Sequence, residues 1–534
     1  MGFAKMHRIV MARSLSHKIS LLSVCLLVLG QCDDSEGRAK KTLVIGQANA
    51  VMGLDPAAVV DNESIDVAEQ VFEHLVRYAP KSMDIQPALA TRWEKQADGR
   101  TWRFFLRKNV KFHDGSAFDA DAVVFSFTRQ RSDVRLPGGR LKYPYWNSYF
   151  RNIVAIKKES SHVVTITTDR PFGPLLASLA MFPVSIVCPR TFRNVKPGKR
   201  PRPVGTGPFK FVSWDVKTGR VTLKANRGYW GPKPKVDRVV FMRIPDARQR
   251  LRALQSGLIH VARNLPPDLL HLVRLHPDLR LGEMPANNVV YLAMNTEKRP
   301  FHDRRVRQAV NYALRKDALI GMAFQGMATK AIGPLPPIMR PFYTADVMRY
   351  GYDPKRARDL LREAGYDVTL RPRFVVMDSP RAYLPRPVLA ARMIARDLEA
   401  IGMKVDLQIM PFGKQKQIMQ TGLHHLGLHG WSGDNGDPDN FLYNLLDSSN
   451  AVHGKLNYAY YREYAFHKLV AAARESADRK ERVRLYKQAQ QIVMRTAPWA
   501  PLAHAKMVIA IRREVGHFRL HPSTILDVRT ATLE

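Results

Sequence analysis

The sequence predicts an α/β fold, with sheets layered against helices. Three features point to it. Apolar runs of strand length alternate with amphipathic stretches of helix length along the chain. The clearest helical stretch, Asp353 to Gly365, has a capping aspartate, Pro354 in its first turn, Ala357, Leu360, Leu361 and Ala364 at helical spacing, and a terminating glycine. The run Lys404 to Met410 alternates so that Val405, Leu407 and Ile409 share one strand face. At 534 residues the chain exceeds one core; at roughly 150 residues per domain it has room for about three or four.

Hydrophobic content of 45% and aromatic content of 9% are globular values. The formal charge of +37 bears on solubility and on attraction to anionic surfaces, not on fold. Nucleic acid is not an expected partner: the basic residues are scattered, with no zinc-finger spacing, aromatic RNA-binding motif or basic-region heptad. Lys5, Arg8, Arg13 and Lys18 precede an apolar run, Ile19 to Leu29, too short to span a bilayer, so residues 1–31 read as a secretory signal. Leu29-Gly30-Gln31-Cys32 resembles a bacterial lipoprotein cleavage site with Cys32 as the lipidated residue, although Gln31 stands where a small residue is usual. The alternative is ordinary cleavage nearby that leaves Cys32 a surface thiol; either way the mature chain is expected to be exported, periplasmic or in the cell envelope, with membrane association where Cys32 is lipidated. With Cys25 in the signal and Cys32 acylated, Cys188 is left alone in an apolar run as a buried thiol without a disulfide.

In chain order, Thr42–Gln47 reads as a strand and Asp66–Leu75 as a helix. Asp98-Gly99 is a hairpin turn between strand-like runs around Trp93 and Trp102. His113-Asp114-Gly115 is turn chemistry rather than an acid–base pair. The segment 204–209, Val-Gly-Thr-Gly-Pro-Phe, lacks the Gly-Lys-Ser/Thr of a phosphate loop and reads as a tight passage. Strands Val221–Ala225 and Val239–Ile244 follow, then a helix over 246–257; Tyr229 and Trp230 read as packing residues. Val289–Asn295 is a strand, 303–319 a helix, Ala390–Ile401 a helix feeding the strand at 404, His425–Gly430 a short strand, Glu481–Met494 a helix and Met507–Ile511 a late strand.

Residues 430–441, Gly-Trp-Ser-Gly-Asp-Asn-Gly-Asp-Pro-Asp-Asn-Phe, crowd three carboxylates, glycines and an aromatic into one turn that can present an acidic group and bare amides to a small ligand. This string, the Trp93-Glu94…Asp98-Gly99…Lys111-Phe-His-Asp-Gly115 series and the Gly205-Thr-Gly-Pro-Phe209 segment resemble the signatures of the family-5 extracellular solute-binding proteins of ABC transporters, a peptide- and nickel-binding family, and most of all its dipeptide-binding members. The resemblance spans nearly the whole mature chain. It implies a two-lobed periplasmic-binding-protein fold (type II, cluster C) with an inserted α/β domain and a ligand cleft between lobes. The implied segments are 42–60 for the start of the first lobe, 61–203 for the inserted domain, 204–286 for the first lobe again, 287–504 for the second lobe and 505–534 for the return. It implies capture of dipeptides or short oligopeptides and delivery to an inner-membrane ABC permease and ATPase complex, by a monomer, with no cofactor and no reaction on the ligand.

The resemblance also assigns the site. Asp434 matches the aspartate that receives the peptide amine, and Arg381 the arginine that receives the carboxylate, with Tyr383 beside it. Trp431, Ser432, Gly433 and Phe412 would line the cleft. The chemistry is apt, since an ammonium needs a carboxylate and a carboxylate is best met by a guanidinium fork. The two charges are expected to face each other across a hinged gap. Asp437 and Asp439 are expected to shape the loop and cap the helix after it. The alternative is a haem or chelated-metal carrier on the same fold, with His424, His425 and His429 as donors. A calcium loop lacks its Gly and Glu, and no nucleophile elbow or zinc-protease motif is present, so no metal site and no enzyme are expected.

Overall fold

The computed structural model describes residues 41–131, 142–193, 195 and 200–534. The signal and Cys32 lie outside the described residues. Among those described, no helix is long and apolar enough to cross a membrane.

The architecture is α/β and is organised by one strand. Trp499–Arg512 runs for 14 residues, well beyond the strand expected at 507–511. Its first part pairs antiparallel with Asn288–Met294 and Ala328–Lys330. From Lys506 onward it pairs instead with Leu279–Pro285 and Val261–Ala262. One strand therefore belongs to two groups of strands. One group continues through Asn288–Met294 to Leu426–Ser432, Arg373–Met377 and Asp406–Met410; the other through Val261–Ala262 to Thr42–Gln47, Arg238–Arg243, Arg220–Ala225 and Phe209–Asp215.

Asn288–Met294 is buried at every position. Alternate residues feed opposite faces of a strand: Val290, Leu292 and Met294 enter one apolar cluster, and Val289, Tyr291 and Ala293 another. Covering both faces with helices removes the polar alternation a solvent-facing strand would show. The opposite occurs at the edge. Asp406–Met410 pairs on one side only, so Ile409 is 41% exposed rather than buried with Leu407 as alternation predicted. A separate antiparallel sheet, Ala90–Lys95, Thr101–Leu106, Val163–Thr168 and Ile153–Ser160, builds its own core around Phe104, Phe127 and Phe150.

Several expected boundaries move for local reasons. The first helix is Asn62–Val71, not 66–75, because Asp61 accepts from the Ser64 amide and caps it early, while Phe72 is already extended toward the next strand. The helix expected over 303–319 is two helices, Arg304–Ala313 and Lys316–Ala323. Leu314 is extended, and the Arg315 amide is taken by the Asp397 carboxylate at 2.9 Å. The Asp353 cap, the hairpin at Asp98-Gly99 (Gly99 φ +69°) and the buried Cys188 follow the expectation. Tyr229 and Trp230 do more than pack. With Thr206 they donate to the buried Glu73 carboxylate at 2.6, 2.8 and 2.8 Å.

The passage 204–209 is tight because backbone meets backbone. A Cβ on Gly205 would lie 2.0 Å from the Val71 carbonyl oxygen, and one on Gly207 2.7 Å from it. His113 closes the passage from the other side, its Nε2 2.9 Å from the Gly207 carbonyl. Neither carbonyl can yield without unravelling the helix end at Val71, whose oxygen accepts from the Gly207 amide. Gly205→Ala should therefore destabilise the protein by about 1–3 kcal/mol or more. Gly333→Ala, with nothing within 4 Å of its Cβ, should stay near wild type when both are compared by chemical denaturation.

Candidate functional site

Arg373–Met377 and Leu426–Ser432 are adjacent and parallel, with Val376 opposite Leu428. Their carboxyl ends therefore open on the same edge, where ligands of α/β sheets commonly bind. The first strand leads to Arg381–Leu384 and the second to Trp431–Phe441. The loops touch: a Cβ on Gly430 would fall 2.4 Å from the Tyr383 ring. Only glycine lets that ring lie flat on the strand.

The 430–441 loop is held from beneath by asparagines. Asn440 Oδ1 accepts from Trp431 Nε1 at 2.7 Å and from the Asp434 amide at 3.1 Å. The Asn287 carbonyl accepts from Gly433 at 2.7 Å, and its side chain donates to the Asn435 carbonyl at 2.9 Å. Gly433 sits so close to Asn287 and Phe441 that a Cβ would be 2.3 Å from the Asn287 Nδ2. It shapes the loop. Asp437 caps the turn Pro438–Asn440 through the Asp439 amide and pairs with the buried Arg482 at 2.7 Å. Asp439 lies 3.4 Å from Arg474.

Asp434 differs from both neighbours. Among the described residues no Lys, Arg or His forms an ion pair with it, although both other loop aspartates have an arginine. The Tyr149 hydroxyl donates to its carboxylate, and Tyr149 also lies 3.4 Å from Asn440 Nδ2. Burial pushes the Asp434 carboxyl up to about 6, against the lowering effect of the Tyr149 and Asn440 hydrogen bonds. The site thus holds a partly buried acid with hydrogen-bond support and, among the described residues, no counter-charge.

Arg381 stands on the neighbouring loop, fixed by reciprocal backbone bonds with Leu384 at 3.0 and 2.9 Å. Its guanidinium lies over the Phe412 ring, 3.8 Å from the centroid, is exposed, and has no carboxylate partner among the described residues. Phe412 stacks on His429 at 5.9 Å and 9°. Ser432 is exposed at the strand end. All seven expected residues therefore lie on or beside two neighbouring loops. The correction is to their arrangement: Asp434 and Arg381 are carried by adjacent strands of the same sheet, not by opposite sides of a gap.

What faces the loop comes from segments that carried no sequence signal. Tyr149 reaches Asp434, Ser178 lies 3.5 Å from the Asn435 amide nitrogen, and Tyr78 Oη accepts from the Gly436 amide at 3.0 Å. These residues are separated from the loop by 257 to 358 positions, so no spacing rule links them. Behind the loop, His429 is enclosed by Tyr291, Tyr383, Phe412 and Tyr458. Burial pushes its pKa down to about 3, and its Nδ1 has no hydrogen-bond partner among the described residues. The other histidines of this stretch are used elsewhere: His424 Nε2 bonds the Tyr458 carbonyl and His425 Nδ1 the Arg373 amide. Among the described residues, no three His, Cys, Asp or Glu side chains gather as a metal would require.

Two stability outcomes follow. Because folding raises the Asp434 pKa above the roughly 3.9 of an unfolded chain, its contribution favours folding at pH below 4 and turns against it as pH rises through about 6. Asp434→Asn should therefore stabilise the ligand-free protein above pH 6 and lose that advantage near pH 4, as read from melting temperature against pH. Arg482→Met leaves Asp437 buried without a counter-charge and should cost about 3–5 kcal/mol in denaturant titration.

Residues 84–452 match the family model for bacterial extracellular solute-binding proteins, family 5. The chain is 37% identical over 516 residues to the heme-binding protein A of Haemophilus influenzae, covering 91% of this chain and 93% of that one. It is 34% identical to the dipeptide-binding protein of Escherichia coli, covering 90% and 92%. Among solved structures it resembles HbpA2 from Haemophilus parasuis (TM-score 0.86, 30% identity, 92% of this chain and 100% of that one). It also resembles the periplasmic binding protein DppA of Helicobacter pylori in complex with the peptide STSA (TM-score 0.74, 30% identity, 93% and 99%). The chain belongs to the family-5 extracellular solute-binding proteins, two-lobed periplasmic receptors of ABC importers that carry a substrate without transforming it.

Proposed function

We propose that this protein captures dipeptides and short oligopeptides in the cleft over residues 430–441 and delivers them to an inner-membrane ABC permease. Asp434 receives the ligand ammonium and Arg381 its carboxylate. Tyr383, Phe412, Trp431, Ser432 and Gly433 form the surrounding wall. The observation that carries this reading is the Asp434 carboxylate, hydrogen-bonded by Tyr149 and, among the described residues, without a cation, one strand away from a guanidinium that has no anion among them. An ammonium placed there gains a charge-assisted bond of about 1.5–3 kcal/mol, and the carboxylate end gains as much again. Together with backbone bonds these reach the roughly −8 kcal/mol of micromolar binding. The same reading takes the protein as an exported monomer tethered through Cys32.

A second reading, a haem carrier, draws support from the relative named for haem. The aromatic enclosure of His429 weighs against that imidazole as an iron ligand, because rings cover it on several sides. Calorimetry separates the two. Dipeptides with free ends should bind wild type, and Asp434→Asn and Arg381→Gln should each weaken them about tenfold to a hundredfold. N-acetylation of the dipeptide should cost wild type as much as Asp434→Asn does. Dipeptide binding undiminished in both variants would sink the assignment. A haem Soret shift with no dipeptide heat would establish the second reading in its place.

A further inference from the structure

A cavity of about 100 Å3 lies outside the site just described, between Val76–Tyr78 and the C-terminal stretch 519–529, and no residue of 430–441 lines it. Its volume is several times what one water needs. Three carboxylates, Glu69, Glu73 and Asp527, and three guanidiniums, Arg77, Arg519 and Arg529, line it, but they are not matched in pairs. Every carboxylate is already engaged: Glu73 accepts from Thr206, Tyr229 and Trp230, Asp527 takes two bonds from Arg529 at 2.8 and 2.6 Å, and Glu69 lies 3.2 Å from His74. Arg77 and Arg519 also line the cavity, and neither has an ion pair or a side-chain hydrogen bond among the described residues. Arg77 is half-buried; desolvation, then repulsion from Arg529, lowers its pKa against the weaker attraction of Tyr229, Glu73 and Asp527. A guanidinium offers five donors in a fixed fork suited to oxyanions, and a partly desolvated one left unpaired is unfavourable.

We propose that this cavity binds one small oxyanion, phosphate or a carboxylate, between Arg77 and Arg519, and that its occupancy steadies the ligand loop. The link is short. Tyr78 and His521 both line the cavity and stack at 5.8 Å. His521 Nε2 lies 3.1 and 3.2 Å from the Ala79 and Ser82 carbonyls, holding the turn that follows Tyr78. That turn carries Met83, which packs so closely on Gly436 that a Cβ there would be 2.7 Å from the Met83 Cβ. Tyr78 itself accepts from the Gly436 amide. The proposal does not depend on what the main site binds.

The test is calorimetry of the full chain in chloride buffer at constant ionic strength, titrated separately with phosphate and with acetate. One saturable site is expected for at least one of them, weakened about tenfold or more in Arg77→Gln/Arg519→Gln. The exposed single variant Arg519→Gln, which cannot disturb the core, should weaken it in the same direction. Lys355→Gln/Lys404→Gln removes the same charge elsewhere and should leave it unchanged. No saturable binding of either anion, or equal weakening in the lysine pair, would overturn the site. Hydrogen exchange of residues 430–441 should slow when the anion binds to wild type; binding with unchanged exchange would overturn the link to the loop.

Discussion

The candidate site is built around a carboxylate that has no counter-ion among the described residues. A loop with three aspartates would ordinarily be quietened by neighbouring bases, and two of the three are, Asp437 by Arg482 and Asp439 by Arg474. Asp434 is spared because hydrogen bonds from neutral groups surround it. Tyr149 and Asn440 support the charge without cancelling it. Burial then makes the ionised form costly, which is the condition under which an arriving ammonium gains most. The buried pairs at 437 and 439 hold the loop's shape, so that Asp434 does not have to.

The loop in turn depends on the sheet. Two parallel strands end side by side, and each launches one charge. Backbone pairing therefore brings the two loops that carry them to one edge. Tyr383 against Gly430 locks the two loops together, and the stack of Arg381, Phe412 and His429 gives the guanidinium a rigid floor. The long strand Trp499–Arg512 passes from this group of strands to the other, so any change in their relation acts through one continuous element.

The region of the separate four-stranded sheet is more than a scaffold. Tyr149 lies beside it and supplies the strongest support Asp434 has, while Tyr78, Met83 and Ser178 meet the loop at Gly436 and Asn435. The Asp434 loop is thereby met by groups from distant segments. That enclosure lets an otherwise exposed turn lower its local polarity, and with it the competition from water.

Local signals were legible where the physics is local. The Asp353 cap and Gly365 stop, the Asp98-Gly99 turn, the buried run at 289–294 and the crowded loop at 430–441 each follow from neighbours within a few residues; of the residues that the resemblance assigns, Arg381 and Tyr383 sit in one contiguous string, Trp431 to Asp434 in a second, and Phe412 stands apart from both. Tertiary structure alone decided that Ile409 faces solvent, that Trp499–Arg512 serves two groups of strands, that Arg381 and Asp434 share one sheet edge, and that Tyr149 rather than a base supports Asp434. The reason is the same in each case: edge position, strand partnership and burial are properties of packing between segments hundreds of residues apart, and no periodicity along the chain records them.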